Sequence, residues 1–250
     1  MTENNFIYGK NAVIEALSSM NREINKVLIL RTNHSDKKIE RIKQLAQSRG
    51  IVFQFAGKDK FIEYEGASHQ GVVALISPVN YVDLDDFLEN ENYEEASVVI
   101  LDGIEDVHNL GAIIRTAVCA GVKGIIIPSR RSVQVNSTVE KVSAGAVNRI
   151  SIIKVNSIQT AIEKLKKSNW WVVAAEASAK DNYYDIDYTG MNFALVMGAE
   201  HAGVSKTVMN AADFKVKIPM ITDFNSLNVS NAFSAIIFES VRQKLSKVKK

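Results

Sequence analysis

Cysteine is almost missing from this chain: Cys119 is the only one among 250 residues. That rules out an internal disulfide and fits a reducing compartment, so a cytoplasmic protein is expected. Cys119 falls on an expected helix among alanines and valines, where a buried, inert thiol is the favoured reading. Nor does any run approach the roughly eighteen uninterrupted apolar residues of a membrane span, so no membrane is expected among the partners. The opening Met1-Thr2-Glu3-Asn4-Asn5 has neither a basic nor an apolar stretch. No secretion signal is therefore expected, and the sequons at Asn136 and Asn228 are expected to be irrelevant. The four histidines (His34, His69, His108 and His201) lack ligand spacing and no Cys/His cluster exists, so no metal is expected.

Nucleotide and hydrolase signatures are missing as well. No G-x-G-x-x-G follows an expected strand, which removes dinucleotide binding. Gly198-Ala199-Glu200-His201-Ala202-Gly203 comes close to a phosphate loop, but that motif needs lysine next and the chain has Val204. No G-x-S-x-G elbow is present, so a serine hydrolase has no support.

What is present is an ordinary globular composition, 46% hydrophobic and 23% charged, long enough for one large domain or two small ones. The net charge is only +2, but residues 78–95 carry seven acidic residues and no basic one, which leaves 1–77 at +3 and 96–250 at +6. Two mildly basic lobes can meet a phosphate backbone; solvated surfaces flanking an acidic linker account equally for the pattern. In 1–77, Ala12–Leu17 reads as a short helix and Lys26–Leu30 as a strand. Ser35–Arg49 reads as a helix with Ile39, Ile42, Leu45 and Ala46 on one face, and Ile51–Phe55 and Gly71–Ile76 as further strands up to the Ser77-Pro78 stop. Beyond the acidic connector, 78–95, strands are expected at 97–101, 123–127, 150–155, 170–175, 193–197 and 214–218. Helices are expected at 109–121, 137–146, 157–168, 205–212 and 229–245. Such strict alternation implies an α/β fold, a mainly parallel sheet covered by helices on both faces.

Three polar cassettes follow apolar runs, and loops beyond the carboxyl ends of parallel strands are candidates for one shared pocket. In the first, Asp102 to Thr116, Asn109 is a candidate N-cap and Leu110, Ile113, Ile114, Ala117 and Val118 form a buried stripe. Arg115 lies about 140° around the helix from Leu110, near the positive N-terminal end, where a cation is disfavoured unless it faces an anion. A surface arginine paired with Glu105 or Asp106 accounts for it as well. The second cassette, Gly198 to Ser205, is a glycine-bordered turn able to approach a ligand closely, with Glu200 inside it; an exposed glutamate on a plain turn is the alternative. The third runs from Ile218-Pro219-Met220 to Ser226-Leu227-Asn228-Val229-Ser230. Capping the last helix accounts for one of its polar residues, and the rest suit a polar ligand.

In this order and spacing the cassettes resemble the SpoU (TrmH) family of RNA ribose 2′-O-methyltransferases, within the SPOUT superfamily. Asn109 with Arg115, Gly198-x-Glu200-x-x-Gly203, and Ile218-Pro219-Met220 with Ser226-Leu227-Asn228-x-Ser230 carry the resemblance. Tyr8-Gly9-Lys10-Asn11-Ala12-Val13 and His69-Gln70-Gly71-Val72-Val73 are similar to the N-terminal substrate-binding domain of members that modify 23S ribosomal RNA. The resemblance implies a SPOUT domain over 96–250 with a deep trefoil knot, which physical priors disfavour, joined to a small α/β RNA substrate-binding domain over 1–77. It implies S-adenosylmethionine held by Gly198, Ile218 and Leu227, with Met220, Ser226 and Asn228 nearby, and a homodimer. It also implies Arg115 as the main catalytic residue, supported by Asn109, Glu200 and Asn228. The expected substrate is a guanosine in the peptidyl-transferase P-loop of 23S rRNA; tRNA, another 23S site, or a silent RNA-binding role on the same scaffold are the alternatives. A guanidinium with a pKa above about 12 is a poor base, so Arg115 is expected to stabilise the developing oxyanion and fix the adjacent phosphate.

Overall fold

The computed structural model describes residues 6–19, 24–31, 36–64, 68–76, 80–89, 93–200, 202–223 and 226–248. The expected helix start at Ser35, the Ser77-Pro78 stop, Glu91, His34, His201 and Lys249-Lys250 lie outside them. The chain forms two compact units, Met1–Asn80 with Val135–Arg149, and Tyr81–Gln134 with Ile150–Lys250.

In the first unit β1 (Phe6–Tyr8), α1 (Lys10–Ser18), β2 (Ile24–Leu30), α2 (Lys37–Ser48), β3 (Val52–Ala56) and β4 (Val72–Ile76) build a sheet in the order β1-β4-β2-β3. The α2 crossover makes β2 and β3 parallel, while β4 runs antiparallel to β1 and β2. Ile39, Ile42 and Ala46 recur on one face of α2 and are buried with Val13, Ala16, Val27, Ile29 and Val72. Asp36 caps α2 by accepting from the Lys38 N–H and pairs with Lys10 at 2.6 Å; the Lys10 bond first, then the Lys38 N–H, holds its carboxyl below the usual value.

Residues 135–149, read from sequence as part of the following alternation, pack in this unit as α5 (Ser137–Val142) and a 3-10 turn, Ala146–Arg149. The helix expected to reach 146 stops at Val142 because Ala144 and Gly145 take left-handed φ of 53° and 84°. Gly145 is also a close approach: a Cβ there would lie 2.6 Å from Glu15 Cβ on α1. Arg149 pairs with Glu15 at 3.3 Å, and the Lys141 ammonium sits 5.0 Å over the Tyr8 ring.

The second unit opens with α3 (Leu84–Glu89), followed by β5 (Ser97–Asp102), α4 (Val107–Cys119), β6 (Gly124–Pro128), β7 (Ser151–Val155), α6 (Ile158–Lys167) and β8 (Trp170–Ala175). It closes with β9 (Asp181–Asn182), β10 (Asn192–Gly198), α7 (Lys206–Ala211), β11 (Phe214–Lys217) and α8 (Val229–Val248). The order is β7-β6-β5-β10-β8-β11-β9, with every pairing parallel. The chain lays down β5, β6 and β7 toward one edge, crosses to β8, and then inserts β10 between β8 and β5. Val98, Ile100, Ile126, Val172 and Val196 form one core with Leu84 and Phe87 of α3, Ile162 and Leu165 of α6 and Val208 of α7. The alternate strand residues Val99, Leu101, Ile125 and Leu195 are equally buried on the opposite face. Ile113 and Ile114 of α4 and Phe233 and Ile237 of α8 are buried too, and the two helices pack on each other. Helices thus cover both faces of a mainly parallel sheet, the α/β architecture expected.

Candidate active site

The carboxyl ends of β5, β10, β8 and β11 lie side by side, and the loops leaving the last three enclose a cavity of about 670 Å³. Its described lining comes from 175–178 after β8, 197–200 and Gly203 after β10, 216–220 at the end of β11, and Ser226, Leu227, Val229, Ala232 and Ile236 leading into α8. This is the crevice position for ligands in an open parallel sheet. Of the three cassettes, the second and third line the cavity directly, while the first meets the second at its rim through Asn109. The sequence reading missed the loop after β8, whose polar lining residues, Glu176 and Ser178, belong to no cassette.

The loop after β10 folds back on itself. Ala199 and Gly203 exchange two backbone hydrogen bonds, of 3.2 and 2.8 Å, and the Ser205 N–H donates to Asp102 Oδ2 at 2.8 Å. A Cβ on Gly198 would lie 2.1 Å from Gly203 C and 2.2 Å from Val204 N. Glycine at 198 is therefore required by the chain's approach to itself, and Gly198 and Gly203 also line the cavity.

Asn109 is not the cap of α4. Asp106 is: its side chain accepts from the His108 N–H at 3.0 Å. Asn109 stands two residues into the helix, 7% exposed, with its amide free for other work. The cap of α8 is Asn228, whose Oδ1 accepts from the Ser230 N–H at 2.9 Å and the Ser230 hydroxyl at 2.6 Å. A backbone N–H can only donate, so this cap turns the Asn228 NH₂ outward. That NH₂ donates to Asn109 Oδ1 and to Glu200 Oε1, each at 2.9 Å, which in turn directs the Asn109 NH₂ onto Glu200 Oε1 at 2.8 Å. Three residues carried by three cassettes thus form one closed network whose hydrogen-bond directions are all fixed.

Arg115 stands apart. It is exposed on α4 and makes no hydrogen bond or ion pair among the described residues, so the pairing with Glu105 or Asp106 is not formed. Six residues past Asn109, it lies about 9 Å farther along the helix. Cys119, one turn beyond, is exposed, contrary to the buried thiol expected from its apolar neighbours. Of the residues expected around a methyl donor, Gly198, Ile218, Met220, Ser226 and Leu227 line the cavity; Asn228 belongs to the network at its rim.

A parallel sheet with β10 inserted beside β5, a loop folded back across Gly198 and an Asn–Glu–Asn network beside a strand-end cavity define an enzyme of the SPOUT class. The SpoU rRNA Methylase family model matches residues 96–238, and the model described as RNA 2′-O ribose methyltransferase substrate binding matches 6–82. The chain belongs to the SpoU family of RNA methyltransferases. A Staphylococcus aureus protein described as a putative TrmH family tRNA/rRNA methyltransferase is 40% identical over 244 residues, 97% of each chain. An AdoMet-bound rRNA methyltransferase from Sinorhizobium meliloti superposes with a TM-score of 0.80 at 27% identity, covering 96% of this chain and 88% of that one. The SpoU methyltransferase AviRb from Streptomyces viridochromogenes, in complex with AdoMet, shares the fold with a TM-score of 0.81 at 23% identity, over 96% and 90%.

Proposed function

We propose that this chain transfers a methyl group from S-adenosylmethionine to a ribose 2′-hydroxyl of RNA, and that its target is a guanosine in the peptidyl-transferase P-loop of 23S rRNA. The observation that carries the reading is the closed Asn109–Glu200–Asn228 network at the rim of the cavity. The cavity's volume is in the range of small-molecule sites. Ile218, Leu227, Val229 and Ile236 offer apolar walls for a base, while Glu176, Ser226 and the backbone around Gly198 offer polar groups for the remainder. S-adenosylmethionine, when bound, supplies a methyl group on a sulfonium.

The chain's own task is to orient the 2′-oxygen and relieve it of a proton. Glu200 Oε1 is occupied by two amide donors, which fixes the carboxylate, and its other oxygen has no partner among the described residues and takes the proton. Arg115, always protonated, stabilises the oxyanion and holds the neighbouring phosphate. Residues 1–77 present the RNA, a role supported by the substrate-binding match over 6–82. The enzyme works in the cytoplasm as a homodimer, with Phe238 and Leu245, exposed and two turns apart on α8, as the apolar stripe that meets the second copy.

Asn228→Asp keeps the α8 cap but sets a second carboxylate against Glu200. Turnover is expected to fall at least about 100-fold, with the melting temperature within about 4 °C of the parent, since the cap survives. Single-turnover methylation and thermal unfolding check it; unchanged turnover would remove the network from the reaction. The target is tested by mapping 2′-O-methylation on RNA from a deletion strain. Loss at the P-loop guanosine is expected, and an unaltered P-loop guanosine with loss at a tRNA or another 23S site would reject it.

A further inference from the structure

The loop from Ser129 to Gln134, which leaves the carboxyl end of β6, has no role in the donor cavity, yet it is unusually well held. Ser129 is tied to the end of β7 through N–H to Val155 O at 2.8 Å and hydroxyl to Asn156 Oδ1 at 2.9 Å. On the other side the Val133 N–H and the Ser132 hydroxyl both donate to Ile104 O, at 2.9 and 3.2 Å, fastening the loop to the segment that leads into α4. Inside it, the Gln134 amide donates to the carbonyls of Pro128 and Ser132 at 3.2 Å each. Arg131 is held with φ at 54°, a left-handed conformation that costs a side-chain-bearing residue about 1–2 kcal/mol. The product is a rigid turn presenting two consecutive exposed arginines, Arg130 and Arg131, with no ion pair or hydrogen bond to either among the described residues. The neighbouring acids Asp102 and Asp106 are engaged by the Ser205 and His108 N–H groups.

The position of this turn along the sheet gives it a meaning. Reading the carboxyl edge in strand order, the cavity occupies β11, β8 and β10, the Asn109–Glu200–Asn228 network joins the loops of β10 and β5, and the arginine turn follows at β6. A methyl donor in the cavity leaves the β5–β6 side open for the acceptor. We propose that Arg130 and Arg131 are a phosphate clamp for the acceptor strand, gripping backbone on the far side of the network from the donor. The proposal rests on the methyltransferase reading above and adds the path by which RNA enters. The two guanidinium groups neutralise two phosphates without reading sequence, so their effect is on affinity, salt dependence and KM rather than on the chemical step.

The test compares the full chain with Arg130→Gln/Arg131→Gln and with Lys123→Gln/Lys167→Gln. The latter removes the same charge at the opposite, amino-terminal edge of the sheet, where both lysines are exposed. A synthetic 23S rRNA P-loop hairpin is titrated across a salt series, and S-adenosylhomocysteine binding is followed by calorimetry. For the arginine variant the slope of log K against log salt is expected to flatten by about 1–2, KM for the hairpin to rise, and kcat and S-adenosylhomocysteine affinity to stay within about two-fold; Arg130→Lys/Arg131→Lys should keep the parent's slope. The lysine variant should match the parent. Equal behaviour of the two variants, or a fall in kcat at unchanged KM, would overturn the clamp while leaving the methyltransferase reading intact. A parent chain that neither binds S-adenosylhomocysteine nor methylates RNA would defeat both.

Discussion

Gly198→Ala is expected to unfold well below the parent and to lose methyl-donor binding. The added methyl group would sit 2.1 Å from Gly203 C, 2.2 Å from Val204 N and 2.4 Å from Gly203 O, and all three are backbone atoms with no rotamer through which to escape. Relief requires moving either the end of β10, which is paired in register with Asp102 of β5, or the Ala199–Gly203 turn with its two hydrogen bonds. Overpacking of this kind reaches the upper end of its usual range, about 3 kcal/mol or more, and therefore roughly 6–12 °C in melting temperature. Both segments line the cavity, so affinity for S-adenosylmethionine falls with stability. Gly203→Ala separates sterics from conformation: its Cβ would meet only Glu176 Oε2, at 3.7 Å, but φ is 64°, so about 1–2 kcal/mol of left-handed strain is expected. Thermal unfolding with calorimetric titration of both variants checks the pair. A Gly198→Ala chain melting within about 1 °C of the parent would mean that the chain does not pass so close to itself.

That crossing shows where sequence reasoning loses its hold. Apolar runs made six of the seven strands of the second unit legible to within a residue or two, because a strand buried on both faces has few other readings; the short, polar β9 was not foreseen. The insertion of β10 between β5 and β8 was not legible, since alternation fixes the type of element and not its neighbour. The resemblance implied a knotted sheet but named no strand order, which only the structure gives. Glycine at 198 lines the cavity, but the need for it comes from the turn folding back onto Gly203 and Val204, a contact that the sequence does not show. Residues 135–149 gave no sign of leaving the sheet-forming part of the chain, since α5 and the turn after it have the composition of any short amphipathic helix. The Ala144-Gly145 break was the one available signal.

The site itself was legible in its residue types and misread in one duty. Asn109 looked like a helix cap because asparagine before an apolar stripe usually is one. Asp106 takes that duty three residues earlier, and the difference matters chemically. A capping Asn109 would have its oxygen committed to backbone N–H groups, whereas the free amide can accept from Asn228 and donate to Glu200 at once. Glu176 was missed for a different reason: its loop has no glycine or proline, and Ala177 separates Glu176 from Ser178, so no compact cassette marks it.

Arg115→Ala is expected to abolish most turnover while leaving everything else in place. The guanidinium is exposed and bonded to nothing among the described residues, so its removal leaves no buried partner unsatisfied and stability should hold within about 0.5 kcal/mol. It does not line the cavity, so S-adenosylmethionine affinity should hold within about two-fold. If Arg115 meets the developing oxyanion and its phosphate, kcat should fall about 100- to 1,000-fold, as for loss of one preorganised oxyanion donor. Arg115→Lys discriminates further, because lysine keeps the charge but lacks the planar fork that holds a phosphate at two points. A partial loss is expected for lysine, expressed in both kcat and KM for RNA; near-normal turnover would rule out two-point positioning. Arg115 and Glu200 act on the same 2′-oxygen, one on its developing charge and the other on its proton. Their effects on log kcat should therefore fall short of additive in the double variant, as should those of Asn109 and Glu200, which share a hydrogen bond.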